Sequence, residues 1–185
     1  MKVFLNPGHD RKYDSGAIHR TAGTKEADIA FAVGTLVESY LLAAGVDVDY
    51  LQSDNLCGEA HHDDRPVSVC SEANNSGADI FVSIHCNAFN MLARGTETLC
   101  FQFGGEGEKL ANCIQKQIVD SIGTVDRGVK ERQDLAVLRH TDMPAVLVEM
   151  AFIDNDGDHE LLTRKQDDFA KAIARGITDY EQMRG

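Results

Sequence analysis

The chain has 185 residues, 43% of them hydrophobic and 26% charged, which suits one packed globular domain and excludes a disordered chain. Its formal net charge is −12, with 18 Lys and Arg against 30 Asp and Glu, so it lacks the basic surplus by which a nucleic-acid binder gains affinity, and nothing draws it to an anionic membrane. No apolar stretch reaches the roughly 18 residues of a membrane span, and the first ten residues hold no apolar region long enough for a signal peptide.

In chain order, "KVFLN" reads as a strand that runs into Pro7, Gly8 and His9. From Lys25 to Ala44 the residues Ile29, Val33, Leu36, Val37, Tyr40 and Leu41 recur at helical spacing, with Gly45 suited to the helix end. "VDVDYL" (46–51) alternates like a half-buried strand, and Arg65-Pro66 opens a second helix that runs to about Gly77. "DIFVSIH" (79–85) and "TETLCFQF" (96–103) are strand-like, 106–122 is helical, "AVLVEM" (145–150) is a short apolar strand, and 166–183 closes the chain as an amphipathic helix. This alternation predicts an α/β fold, an open and largely parallel sheet with helices on both faces. Sites in such sheets form at the carboxyl ends of strands. His9 follows the first strand, His85 ends the third, and Glu149 sits near the end of the last.

Two imidazoles and a carboxylate at strand ends make a zinc inventory with room for a water. The competing reading is a turn-capping His9 and a satisfied core His85. Glu149 interrupts "AVLVEMAF", where an ionised carboxylate needs a cation, a hydrogen-bond network or solvent. Glu26 follows the loop "YDSGAIHRTAGTKE" in the first helical turn, where a negative charge also complements the helix dipole.

Other motifs carry less. "CGEAHHDD" (57–64) holds Cys57, His61 and His62 at a spacing that matches no common zinc pattern and reads as a loop. "DNDGD" (154–158) would put Phe152 and Thr163 at the ends of an EF-hand loop, which excludes one. "GGEG" (104–107) lacks the rest of a phosphate loop, and no G-x-S-x-G elbow exists. The five cysteines, Cys57, Cys70, Cys86, Cys100 and Cys113, contain no C-x-x-C pair and read as reduced, partly buried thiols.

The segments "FLNPGHD", "DSGA", "TKEADIAFAV", "SGADIFVSIHCNAF", "GTETLCF", "RGVKERQDLAVLRHTDMPAVLVEMAFIDN" and "AIARGITDY" resemble, in order and spacing, the catalytic domain of zinc-dependent N-acetylmuramoyl-L-alanine amidases of the bacterial autolysin and phage endolysin type. The resemblance covers nearly the whole chain. It implies that residues 1–185 are one catalytic domain with a mixed, mostly parallel twisted sheet of about six strands. It further implies that His9, Glu26 and His85 bind Zn2+, that Glu149 is the catalytic carboxylate, and that bacterial peptidoglycan is the partner, with no nucleic acid and no membrane insertion. The implied reaction is hydrolysis of the amide joining N-acetylmuramic acid to L-alanine. An inactive wall-binding module of the same fold is one alternative. A zinc carboxypeptidase or deacetylase acting on another wall bond is the other. With no signal peptide visible, the chain is expected to reach the wall by release from the cytoplasm, as an endolysin, or by export of a longer precursor. Two stretches depart from the family pattern, "DRKYD" after His9 and Met150-Ala151 before Phe152, and both bear on the shape of the cleft.

Overall fold

The computed structural model describes residues 1–58 and 67–184. In chain order the elements are β1 (Lys2–Pro7), α1 (Glu26–Ala43), β2 (Asp47–Tyr50), α2 (Val69–Asn75), β3 (Ile80–Asn87), β4 (Thr96–Cys100), α3 (Glu106–Ile122), β5 (Asp126–Glu131), α4 (Ala136–Arg139), β6 (Ala145–Phe152), α5 (Asp156–Arg164) and α6 (Gln166–Arg184). The strands form a six-stranded sheet in the order β2-β1-β3-β6-β4-β5. All neighbouring pairs are parallel except β4 and β6, which run antiparallel. The sheet is therefore mixed and mostly parallel, as the alternation and the resemblance together imply.

Strand alternation divides the core in two. Val3, Leu5, Ile80, Val82, Ile84, Val146 and Val148 face one side and pack with buried residues of α1, α3 and α6. Phe4, Phe81, Leu99, Ala145 and Leu147 face the other, with Val69 and Ala73 of α2 and Val137 and Leu138 of α4. Helices thus cover both faces, each burying the apolar stripe that its period provides. In α1 that stripe is Ile29, Val33, Val37 and Leu41, all buried, while Leu36 and Tyr40 pack partly buried at its edge.

Several boundaries differ from the sequence expectation. The first described turn of α2 starts at Val69, capped by the Ser68 side chain, which accepts from Ser71 N; Arg65 and Pro66, read as that helix's start, lie outside the described residues. The strand expected over 96–103 stops at Cys100, since the chain turns at once and Gly104 takes φ +84°. Three elements have no counterpart in the sequence reading. Strand β5 contains one aliphatic residue, Val129, and lies at the sheet edge, where alternation is weakest. Helix α4 is a single turn. Helix α5 opens on "DGD", which resembles a loop until Asn155 is seen to cap it by accepting from Gly157 N and Asp158 N. Among the described residues, no helix is long and apolar enough to cross a membrane.

Candidate metal centre and active site

The parallel strands β1, β3 and β6 deliver side chains to one end of the sheet. His9 stands two residues beyond β1 at φ +64°, a left-handed backbone that non-glycine residues rarely take and that recurs at functional sites. Its neighbours hold it there: Gly8 N donates to Ile84 O at 2.8 Å, and Asp10 and Asp14 exchange backbone hydrogen bonds across the following turn. The side chain of Gln52 fixes the same junction by donating to Gly8 O at 3.1 Å and to Ala27 O at 2.9 Å. The end of β1 and the start of α1 are thereby tied together.

Glu26, the first residue of α1, is 4% exposed. Its Oε1 lies 3.1 Å from His9 Nε2 and 2.9 Å from His85 Nδ1 and accepts from Cys86 N at 3.0 Å, while Oε2 accepts from Ala17 N at 2.9 Å. The two imidazoles meet edge to face, with ring centroids 5.0 Å apart. His9, Glu26 and His85 each offer one ligand atom, all within 4.8 Å of one another, and they are the one such group of three among the described residues. The donors, two nitrogens and one carboxylate oxygen, match an open zinc site in chemistry.

Electrostatics mark the cluster as a cation trap. Burial would raise the Glu26 pKa, but hydrogen bonds from His85 and His9 hold the carboxyl well below its ordinary range. Burial would lower that of His9, yet the Glu26 and Asp14 carboxylates push it up to about 9.

Glu149 is the Cα partner of His85 across the β3–β6 ladder. Its Oε2 is enclosed and meets no hydrogen-bond partner, although the residue as a whole is only partly buried. Burial first, then the nearby Glu26 and Glu97 charges, raise its pKa to about 8. An orphaned buried carboxyl oxygen beside a ligand cluster is costly unless something enters to meet it.

A family model described as N-acetylmuramoyl-L-alanine amidase matches residues 3–179. The chain belongs to the N-acetylmuramoyl-L-alanine amidase family. It is 39% identical over 183 residues to YqiI of Bacillus subtilis (strain 168), a protein described as uncharacterized, covering 96% of this chain and 84% of that one. With an endolysin of Bacillus phage SPP1 it shares 36% identity over 182 residues, 94% of this chain and 62% of the endolysin, so it spans less than two thirds of that relative. Among solved structures, an N-acetylmuramoyl-L-alanine amidase from Clostridium difficile 630 superposes with a TM-score of 0.84 at 31% identity, covering 100% of this chain and 98% of the other.

The four residues singled out in the sequence thus meet at one end of this amidase-family sheet. Of the other candidates, His61 and His62 lie outside the described residues, and Cys57 lies 3.7 Å from Cys70, sulfur to sulfur. Asp154 accepts from the backbone N–H groups of Phe89 and Met91, so "DNDGD" serves the loop after β3 and the cap of α5. Cys86, next to His85, contributes its backbone; burial, with Glu26 and Glu149, keeps its thiol pKa well above the ordinary value. Three residues escaped the sequence reading. Asp14 Oδ2 lies 2.8 Å from His9 Nδ1, the partner that fixes the ring and tautomer of a ligand histidine. Gln52 holds the strand-helix junction. Glu97, buried on β4, faces Glu149. Only Asp14 had a signal, in the quoted "DSGA"; Gln52 matters through its bonds to the ends of β1 and α1, and Glu97 through its pairing across the sheet.

Proposed function

We propose that this chain is the catalytic domain of a zinc-dependent N-acetylmuramoyl-L-alanine amidase that cuts the amide between the lactyl group of N-acetylmuramic acid and L-alanine in bacterial peptidoglycan. The observation that carries the reading is the enclosed, unpartnered Oε2 of Glu149 beside His9, Glu26 and His85. Family membership supports it.

His9, Glu26 and His85 are the residues that would hold zinc, and they fit it in donor type, proximity and charge. When bound there, zinc would polarise the scissile carbonyl and acidify a water. Glu149 accepts that water's proton and passes it to the leaving amine of L-alanine, and its enclosed, unpartnered Oε2 is free for both transfers. Asp14 holds the His9 imidazole by its far nitrogen so that the near one faces Glu26. The two glutamates divide the work by position. Glu26 is committed to two imidazoles and two backbone N–H groups, whereas Glu149 Oε2 is uncommitted. The site of action is the cell wall, reached by release from the cytoplasm or by export.

Digestion of purified peptidoglycan followed by mass spectrometry tests the bond. Expected products are intact glycan strands and stem peptides with a free L-alanine amine. Glu149→Gln should retain zinc and lose at least about 100-fold in rate, the span of general acid-base catalysis, while His85→Ala should lose the metal. Cleavage within the stem peptide or at an acetamido group would replace this reading with a carboxypeptidase or a deacetylase. Wall binding without cleavage in zinc-replete buffer would leave an inactive binding module.

A further inference from the structure

Beside Glu149 lies a polar cluster that the proposed chemistry does not use. Glu97, 7% exposed, is the Cα partner of Glu149 across the antiparallel β4–β6 pair, and so points to the same face. Its Oε2 accepts from Arg127 Nε at 2.6 Å and pairs with Lys130. Its Oε1 accepts from Asn87 Nδ2 at 3.0 Å. Asn87 stands two residues after His85 at the carboxyl end of β3.

The backbone is bent to build this cluster. The register of β5 against β4 slips by one residue between Thr96 and Thr98, and Gly128 within the slip takes φ +76°. Such a bulge redirects side chains. Here Arg127 and Lys130, three residues apart on one strand, reach the same carboxylate. Two cations on one acid lock Glu97, and a locked Glu97 locks Asn87. A carboxylate can only accept, so the Asn87 amide must turn its NH2 toward Glu97 and its carbonyl oxygen away. The hydrogen bond described for this side chain is the one its NH2 makes to Glu97, and Asn87 is only partly buried, so the oxygen is open to a ligand.

We propose that Asn87 is a substrate-positioning residue whose carboxamide oxygen accepts an amide N–H of the muropeptide, and that Glu97, anchored by Arg127 and Lys130, holds the carboxamide for that purpose. The inference rests on the amidase reading above. It adds a recognition element for the amide-rich part of the substrate, beside the group assigned to proton transfer and apart from the metal ligands.

Kinetics on a soluble N-acetylmuramoyl peptide with zinc-loaded protein test it. Asn87→Ala should raise KM roughly fivefold, the effect of one neutral hydrogen bond, with the loss carried by KM rather than kcat. Glu97→Gln should raise KM by a similar factor because it frees the carboxamide, and the double variant should be no worse than Glu97→Gln alone. Asn87→Asp keeps an acceptor oxygen but sets it against the Glu97 charge, so it should raise KM at least as much as Asn87→Ala; it serves if the Glu97 variant does not fold. An unchanged KM in Asn87→Ala, a wild-type KM in Asn87→Asp, or single effects that multiply in the double variant would each overturn the proposal. N-methylation of the peptide bond after L-alanine locates the donor. A penalty in wild type that vanishes in Asn87→Ala places it in the peptide, and an equal penalty in both places it on the acetamido side. If wild type releases no L-alanine amine at all, the amidase reading fails first, and independently.

Discussion

A methyl group on Gly8 would lie 2.2 Å from Cε1 and 2.4 Å from Nε2 of His85, and one on Gly16 would lie 2.5 Å from His9 Cδ2 and 2.6 Å from Glu26 Oε2. These two glycines are absent side chains whose space the candidate ligands occupy. Gly8→Ala should therefore swing His85 out of line while leaving the fold intact, weakening zinc at least about tenfold, the size of effect seen when support around metal ligands is disturbed. Competition with a chromophoric chelator measures it, and Gly105→Ala is the control, since its added methyl would meet nothing and its φ of −116° suits any residue. A wild-type affinity in Gly8→Ala would mean that His85 is not a ligand. In the sequence Gly8 stands only where the first strand runs out; the reason for a glycine there lies 77 positions away, in the imidazole of His85 that it admits.

At the scale of elements, the fold had to place three strand ends and one helix start together, and the loop 10–25 carries much of that task. It is pinned to α5, where His19 stacks on His159 with ring centroids 3.8 Å apart, and His159 Nε2 lies 2.8 Å from Thr24 Oγ1. The first turn of α5 in turn holds the sheet. Asp158, 4% exposed, accepts from Gly95 N at 2.7 Å and from Phe152 N at 2.9 Å, binding the end of β6 to the chain entering β4. Asp158→Ala would leave two buried N–H groups unmet and should destabilise the protein by about 3 kcal/mol, read as a lower urea midpoint at unchanged slope. An unshifted midpoint would show that solvent replaces the carboxylate. The same segment shows what was legible. Apolar period revealed the buried helices and central strands, because burial writes itself as spacing. It missed β5 and α5, where an edge strand needs few apolar residues and a helix starts on acids that resemble a loop. The candidate site was visible as strand-end histidines and an out-of-place Glu149, while Glu26, at a helix start where a charge is ordinary, stood out only through the family resemblance. Glu97 was not, because its meaning comes from a register that only the folded sheet defines.

For the whole molecule, the proposed site sets how stability varies with pH, and two signs compete. Glu26 has its pKa depressed by the two histidines despite burial, so its stabilisation is present above the ordinary value of 4.5 and is lost as pH falls below it. His9 is raised from 6.5 to about 9, so its contribution is complete below 6.5 and is lost as pH rises toward 9. Glu149 is raised from 4.5 to about 8 by burial and by Glu26 and Glu97; the folded state holds a proton that the unfolded chain has released, and stability drains as pH climbs between those values. Metal-free protein should then be most stable at about pH 5 and weaken steadily toward pH 9. Zinc at the proposed site would oppose that slope. It would need His9 neutral, so its uptake would release protons and tighten as pH rises, and the divalent charge would meet the carboxylates that burial penalises. Calorimetry across pH 5 to 9, with chelator and with zinc, should show the gap in Tm between the two forms widening with pH. A constant gap would mean that zinc binds without displacing the His9 proton, and that the ligand set is not His9, Glu26 and His85.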